Sequence, residues 1–254
     1  MPKQSKPSLY AEFLDPARPW LLHHRSFAFP SLPYRATGRE WKALMARAES
    51  EDTDAQCHLA AYFEFGCKTP SGKVLVRKSS RKARAWRERA ATLGDPIAQV
   101  HLANALTTPG TNKESWYAGI LLYRRAIRAG YSPAIYNLAV TYRLAGKMRM
   151  AVAWFRKAQS TRDDSATLQL AIHTYWGIGI RANHSEAVRL FRKASKGRDI
   201  SPAEREDALF YLSIAYLEGK GVRQSLPMAR KLLERANVEQ DNELARRLLK
   251  KLSA

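Results

Sequence analysis

His58 and His101 each stand three residues after an alanine that opens a similar segment, Ala55 and Ala98. Two imidazoles at one recurring register could share a metal ion if adjacent segments brought them together. Later segments carry Asn137, Gln169 and Tyr211 at that register, so the pair does not extend into a set. His23 and His24 are adjacent in the chain, and neighbouring residues seldom chelate one ion without further ligands. The carboxylates Asp163 and Asp164 precede a helical pattern and suit a cap better than an acid–base couple. Cys57 and Cys67 are the two cysteines of the chain, too few for a disulfide framework or a zinc site. A phosphate-cradling glycine loop, His-Glu-x-x-His, Cys-x-x-Cys and Gly-x-Ser-x-Gly are all absent from the sequence. The expectation is a non-enzymatic protein with no catalytic residues, no metal and no cofactor.

Binding chemistry is more evident. The 254 residues hold 43 Lys and Arg against 23 Asp and Glu, a formal net charge of +20. Such an excess favours an acidic partner, whether a protein face, a nucleic acid or an anionic membrane surface. Between Lys73 and Arg89 eight of 17 residues are basic and one is acidic. Arg77, Lys78, Arg81, Lys82 and Arg84 would form an anion-binding prong there. A second basic row precedes a recurring alanine, as Arg89, Arg125, Lys157, Lys193 and Arg235, doubled at Arg124-Arg125, Arg156-Lys157 and Arg192-Lys193. Only Trp86 lies among the prong cations, so base stacking is poorly served and nucleic acid is the alternative rather than the first choice.

These side chains need a scaffold, and the chain repeats one. Ala, then Leu four residues on, then a small residue, occurs at Ala55/Leu59/Ala60, Ala98/Leu102/Ala103, Ala134/Leu138/Ala139, Ala166/Leu170/Ala171 and Ala208/Leu212/Ser213. A partner pattern follows each: Gly119/Leu122/Tyr123/Ala126, Ala151/Trp154/Phe155/Ala158, Ala187/Leu190/Phe191/Ala194 and Ala229/Leu232/Leu233/Ala236. The first copy is weaker, with Ala83, Trp86 and Ala90 but Arg87 where a large apolar residue is expected. Opening alanines are 43, 36, 32 and 42 residues apart, the period of stacked helical hairpins. Spacings of three, four and seven place each set on one stripe of a helix, which one hairpin cannot bury alone.

Ala166, Leu170, Gly177, Gly179, Ile180 and Ala187 carry a resemblance to the Sel-1-like repeats, relatives of the tetratricopeptide repeats. The resemblance covers roughly residues 40–254 and implies an all-α fold, an α/α solenoid or superhelix of about five Sel-1-like helical hairpins. The repeats fall near 55–97, 98–133, 134–165, 166–207 and 208–243, after an N-terminal half-repeat that begins at 37. A capping helix over 244–254 closes the stack, with Leu244, Leu248, Leu249 and Leu252 inward. Thr37 with Glu40, and Ser201 with Glu204, have capping-box form, and the second should lengthen the fifth repeat's first helix. The resemblance also implies a scaffold that binds protein partners on a concave face lined by first helices. Its contact positions, two, six, nine and ten after the opening alanine, give Cys57, Glu64, Val100, Asn104, Tyr136, Arg143, Tyr175 and Trp176. The aromatic members could instead pack between repeats.

Residues 1–36 form a separate arm with six of the twelve prolines and no helical period. Its aromatics suggest that it docks on the first repeat or in the groove. No apolar run reaches the ~20 residues of a membrane span, and the N-terminus lacks a signal-like apolar stretch. The reading is a cytoplasmic scaffold for an acidic protein or peptide, a bacterial immunity or regulatory protein being one concrete form.

Overall fold

The computed structural model describes residues 34–238 and 242–253; most of the proline-rich arm, including His23 and His24, lies outside them. The chain divides into two compact units at Thr141/Tyr142. Among the described residues these are 34–141 and 142–253. Helices dominate both, in succession as paired hairpins, so the fold is all-α and of the α/α solenoid class.

The first unit holds α1 (Gly38–Glu49), α2 (Thr53–Phe65), α3 (Ser80–Thr92), α4 (Pro96–Leu106) and α5 (Lys113–Arg128), each packed on the next. The unit boundary falls inside α6 (Pro133–Leu144). In the second unit α7 (Met148–Ser160), α8 (Asp164–Trp176), α9 (His184–Ala194), α10 (Pro202–Glu218), α11 (Leu226–Arg235) and α12 (Glu243–Ser253) again pack consecutively.

The helix starts are written locally. Asp52, Asp95 and Asp163 accept from the backbone N–H of the opening alanines Ala55, Ala98 and Ala166, at 2.9, 2.6 and 2.7 Å. Each satisfies a donor that the first helical turn would leave orphaned. Thr37 with Glu40, and Ser201 with Glu204, form complete capping boxes. The second starts a helix of 17 residues, four longer than the 13 of α8.

Packing follows the small residues. The opening alanines 55, 98, 134, 166 and 208 and the closing alanines 90, 126, 158, 194 and 236 have no exposed surface. Tyr123, Phe155, Phe191 and Leu233, the large residues of the second helices, are equally enclosed. Two buried glutamines tie successive helices together: Gln56 Nε2 donates to the Ala48 carbonyl at 2.9 Å and Gln99 Nε2 to that of Ala91 at 3.3 Å. Since Ala171 has no room for more side chain, Ala171→Leu should overpack the α8–α9 hairpin and destabilise by about 1–3 kcal/mol. Unchanged urea unfolding of that variant would mean the hairpin interface lies elsewhere.

The Gly-x-Gly turns have a second task besides reversing the chain. Gly179 has φ +73°, and a Cβ there would come within 2.6 Å of the Met148 carbonyl, at the start of α7. Gly221, with φ +75°, meets His184 and Ser185 at the start of α9 in the same way. Each turn thus lies flush on the second helix of the preceding hairpin, which only a residue without a side chain allows.

The segment inserted between α2 and α3 is not an open loop. Cys67–Lys68 forms β2 and Val74–Val76 forms β3, an antiparallel pair with Cys67 opposite Val76. Tyr34–Arg35, β1, joins β2 in parallel, giving the order β1-β2-β3. Val76 and Cys67 turn inward to meet Phe63, Ala83 and Ala36, with Trp41 and Trp86 packed around them. Val76, with Leu75 half-buried beside it, has a core to enter, and this draws a short strand out of a stretch that is otherwise cationic.

Candidate interaction surface

In the first unit, the four contact positions of the first repeat lie together. Cys57, Ala61, Glu64 and Phe65 line one side of a cleft of about 870 Å³, and Asp95, Ile97, Ala98 and His101 of α4 and its cap line the other. The cleft is not basic: Asp54, Glu64 and Asp95 line it against Arg47 and Arg87. Arg87 of α3 is ion-paired with Glu64 in its lining, and Arg47 pairs with Asp52 at 2.6 Å. Arg87 occupies the position where the repeat calls for a large apolar residue, and that irregularity was the available signal for its role. Asn104 and Val100 lie outside the cleft lining: Asn104 accepts from the Tyr123 hydroxyl, and Val100 is buried at 6% exposure.

The chemistry of the cleft is that of contact. Burial and the neighbouring Asp95 carboxylate push the Cys57 thiol up to about 12, so it stays protonated and a poor nucleophile at neutral pH. Burial and the Arg87 charge hold His101 below its ordinary value, so its ring is neutral at pH 7. His58 and His101 both line the cleft, yet among the described residues no three His, Cys, Asp or Glu side chains are placed to hold a metal ion. The pair Asp163 and Asp164 has structural duties: Asp163 caps α8, and Asp164 accepts from the Asp199 backbone N–H at 3.2 Å.

In the second unit the expected contact residues separate. Tyr175 is 3% exposed and its hydroxyl donates to Glu218 at 2.6 Å, so it is a packing residue and leaves the candidate surface. Trp176 is half-buried, edge-on to Tyr211 with ring centroids 5.4 Å apart. Arg143 is half-buried as well, donating to Gln169 with its guanidinium over Phe155. Tyr136, on the first-unit part of α6, is half-buried. A second cleft, of about 910 Å³, is lined by Arg156, Gln159, Arg181, Asn183 and His184 among others. The contact spacing overlooks it because Arg181 and Asn183 lie in a turn.

The cations are where the sequence places them. Arg77, Lys78, Arg81, Lys82 and Arg84 are exposed, as are Arg124, Arg125, Arg156, Lys157, Arg192 and Lys193. Some are committed to the scaffold: Arg84 pairs with Glu88 at 2.7 Å, Lys157 lies 5.0 Å from the Trp154 ring centre, and Arg192 donates to the Tyr216 hydroxyl at 2.8 Å. Among the described residues Arg77, Lys78 and Arg81 have no ion-pair partner. Arg81 and Lys82 sit in the first turn of α3, where no acid offsets the positive end of the helix dipole.

Hairpins with buried small residues at the crossings and flush Gly-x-Gly turns define a helical-repeat protein. The Sel1 repeat family matches residues 53–95, 132–158, 164–199, 206–237 and 236–254, and the chain belongs to that family. Residues 96–131 fall outside the matches, although α4 and α5 form a hairpin there; its turn carries Pro109-Gly110 in place of Gly-x-Gly. A protective antigen of uropathogenic Escherichia coli that displays an SLR fold is similar at 22% identity and TM-score 0.67, over 83% of this chain and 43% of that one. A Sel1 repeat protein from Oxalobacter formigenes is similar at 18% identity and TM-score 0.62, over 79% of both chains. This chain thus spans less than half the length of the Escherichia coli protein, and at these identities the likeness is one of fold. No curated protein matches the sequence. Sel1 repeat proteins generally mediate protein–protein interactions and are typically non-catalytic. Among the described residues no helix is long and apolar enough to cross a membrane.

Proposed function

We propose that this chain is a non-catalytic scaffold that binds an acidic protein, acting in the cytoplasm as an adaptor of immunity or regulatory type. The exposed cations of the β3–α3 region carry this reading. Arg77, Lys78 and Arg81 keep no ion-pair partner among the described residues, and like charges gathered this way repel one another. A concentrated positive field of this kind accelerates encounter with an acidic surface more than it deepens the final complex. The cleft of α2 and α4 would then supply contact area through Phe65, Ile97 and the aliphatic part of Arg87.

The test is affinity capture from native lysate, in nuclease-treated and untreated halves, followed by kinetics on the retained partner. One acidic protein should persist in both halves. The combined reversal Arg77→Glu, Lys78→Glu, Arg81→Glu and Lys82→Glu should slow its association at least tenfold at low ionic strength. A retained set that vanishes with nuclease, and an affinity falling steeply with salt, would assign the cations to nucleic acid instead. Association unaffected by the reversal would remove the electrostatic part of the proposal.

A further inference from the structure

From Phe65 to Arg87 the chain carries eight basic residues and no acidic one, and two strands of the three-stranded sheet, β2 and β3, lie within this stretch. Strand order places β3 at an edge, with β2 on one side and no strand on the other among the described residues. Alternate residues of an antiparallel strand direct their N–H and C=O away from the paired neighbour, so such an edge is a template for another strand. Val74 on this edge is 53% exposed. It helps line a trough of about 370 Å³, together with the apolar Phe65, Cys67 and Val76 and the cationic Lys68, Arg77 and Lys78.

We propose that β3 is a docking edge for an acidic, extended segment of a protein partner, which joins the sheet as a fourth strand. Main-chain pairing would supply affinity, the trough beside Val74 would take an apolar side chain, and the surrounding cations would select alternating carboxylates. The inference rests on the acidic-partner reading and adds where and how that partner is held. Charge decides among occupants. A second copy would bring its own Lys73, Arg77 and Lys78 against this set, and like charges across paired strands repel. Residues 1–33 hold four basic and two acidic residues, a balance of the wrong sign. An acidic strand neutralises the edge instead of loading it further.

The experiment uses the full chain and three fluorescein-labelled decapeptides: alternating glutamate and valine, the same peptide N-methylated throughout, and alternating lysine and valine. N-methylation keeps the side chains and charges and removes every main-chain donor. Fluorescence anisotropy at low salt should show saturable binding of the first peptide. Affinity should be at least tenfold weaker for the methylated and lysine peptides. The pair Arg77→Glu and Lys78→Glu should weaken binding of the first peptide at least tenfold, whereas Arg124→Glu with Arg125→Glu should change it less than twofold. Hydrogen exchange of the Val74–Val76 amides should slow in the complex. Equal binding of the methylated peptide would overturn strand addition while leaving an acidic ligand in place. Loss of binding with Arg124→Glu and Arg125→Glu but not with Arg77→Glu and Lys78→Glu would move the acidic site off β3. No binding of any peptide would overturn the docking edge, and the reading of an acidic partner would then stand or fall on the capture experiment alone. A concentration-dependent dimer that slows exchange of the same amides would assign the edge to a second copy and overturn the proposal.

Discussion

Gly221→Ala should destabilise the protein by about 3 kcal/mol, through two additive causes. Its φ of +75° lies in the left-handed region, where a side chain costs roughly 1–2 kcal/mol. The new methyl would also strike the start of α9, 2.7 Å from the Ser185 nitrogen and closer still to the His184 carbonyl. Both are helix backbone, which cannot rotate aside, so the strain of overpacking adds about 1–3 kcal/mol. Gly219 supplies the control. It too has a left-handed φ, +66°, but a methyl there meets Gln224 Cβ at 3.2 Å, the tightest of its contacts. Gly219→Ala should therefore lose the conformational part and little of the steric part. Urea unfolding of both variants separates the causes, and equal losses would show that the flush packing of the turn on α9 contributes nothing.

Stability should also fall on mild acidification, by about 2 kcal/mol between pH 7 and pH 5 from His173 alone. This side chain has no exposed surface. Its Nδ1 lies 2.8 Å from the Ile178 carbonyl, an acceptor, so that nitrogen carries the proton of the neutral ring. Burial pushes the imidazole down to about 4, the Ile178 carbonyl opposes this in part, and the Arg143 charge reinforces it. Below the ordinary value of 6.5 the unfolded chain takes up a proton that the folded chain refuses. The native state therefore loses free energy from pH 6.5 down to about 4, approaching about 3 kcal/mol at about 1.36 kcal/mol per pH unit. Above pH 6.5 both states are neutral and the contribution is flat. His101, held low by burial and Arg87, adds a change of the same sign. Replacing His173 by glutamine keeps a donor for Ile178 and removes the titration. Urea unfolding at pH 7 and pH 5 should then show a dependence about 2 kcal/mol shallower, and parallel pH profiles for the two proteins would defeat the argument.

The legible parts of this molecule are those whose causes are close in sequence. An aspartate three residues before each of three opening alanines is a cap, because the N–H it accepts from is three residues away. The closing alanines are readable because a period of three, four and seven states which stripe faces a neighbour. Gly-x-Gly likewise announces a turn, although that its second glycine lies flush on the preceding hairpin is a matter of packing.

The candidate surface was legible only in part, since exposure depends on what arrives from elsewhere. Tyr175 and Glu64 both stand nine residues after an opening alanine. Glu64 lies at the edge of a cleft, where Arg87 meets it. Tyr175 is covered, and its hydroxyl is held by Glu218, 43 residues further on, at the end of the long helix α10. Nothing in the repeat distinguishes the two. The same holds for the insertion, whose cations are obvious in the sequence while its strands are not. Two- and three-residue strands have no period of their own, and β1 reaches β2 across more than thirty residues.

By itself the sequence determined the helical hairpins, their order, their caps, the buried small residues and the large positive charge, because local spacing and composition are sufficient causes of each. Tertiary structure decided that Arg87 pairs with Glu64, that Tyr175 is packing rather than surface, and that the basic insertion is a sheet with an edge at β3. Those outcomes depend on contacts between segments tens of residues apart, where burial of one side chain is set by the length and placement of another helix.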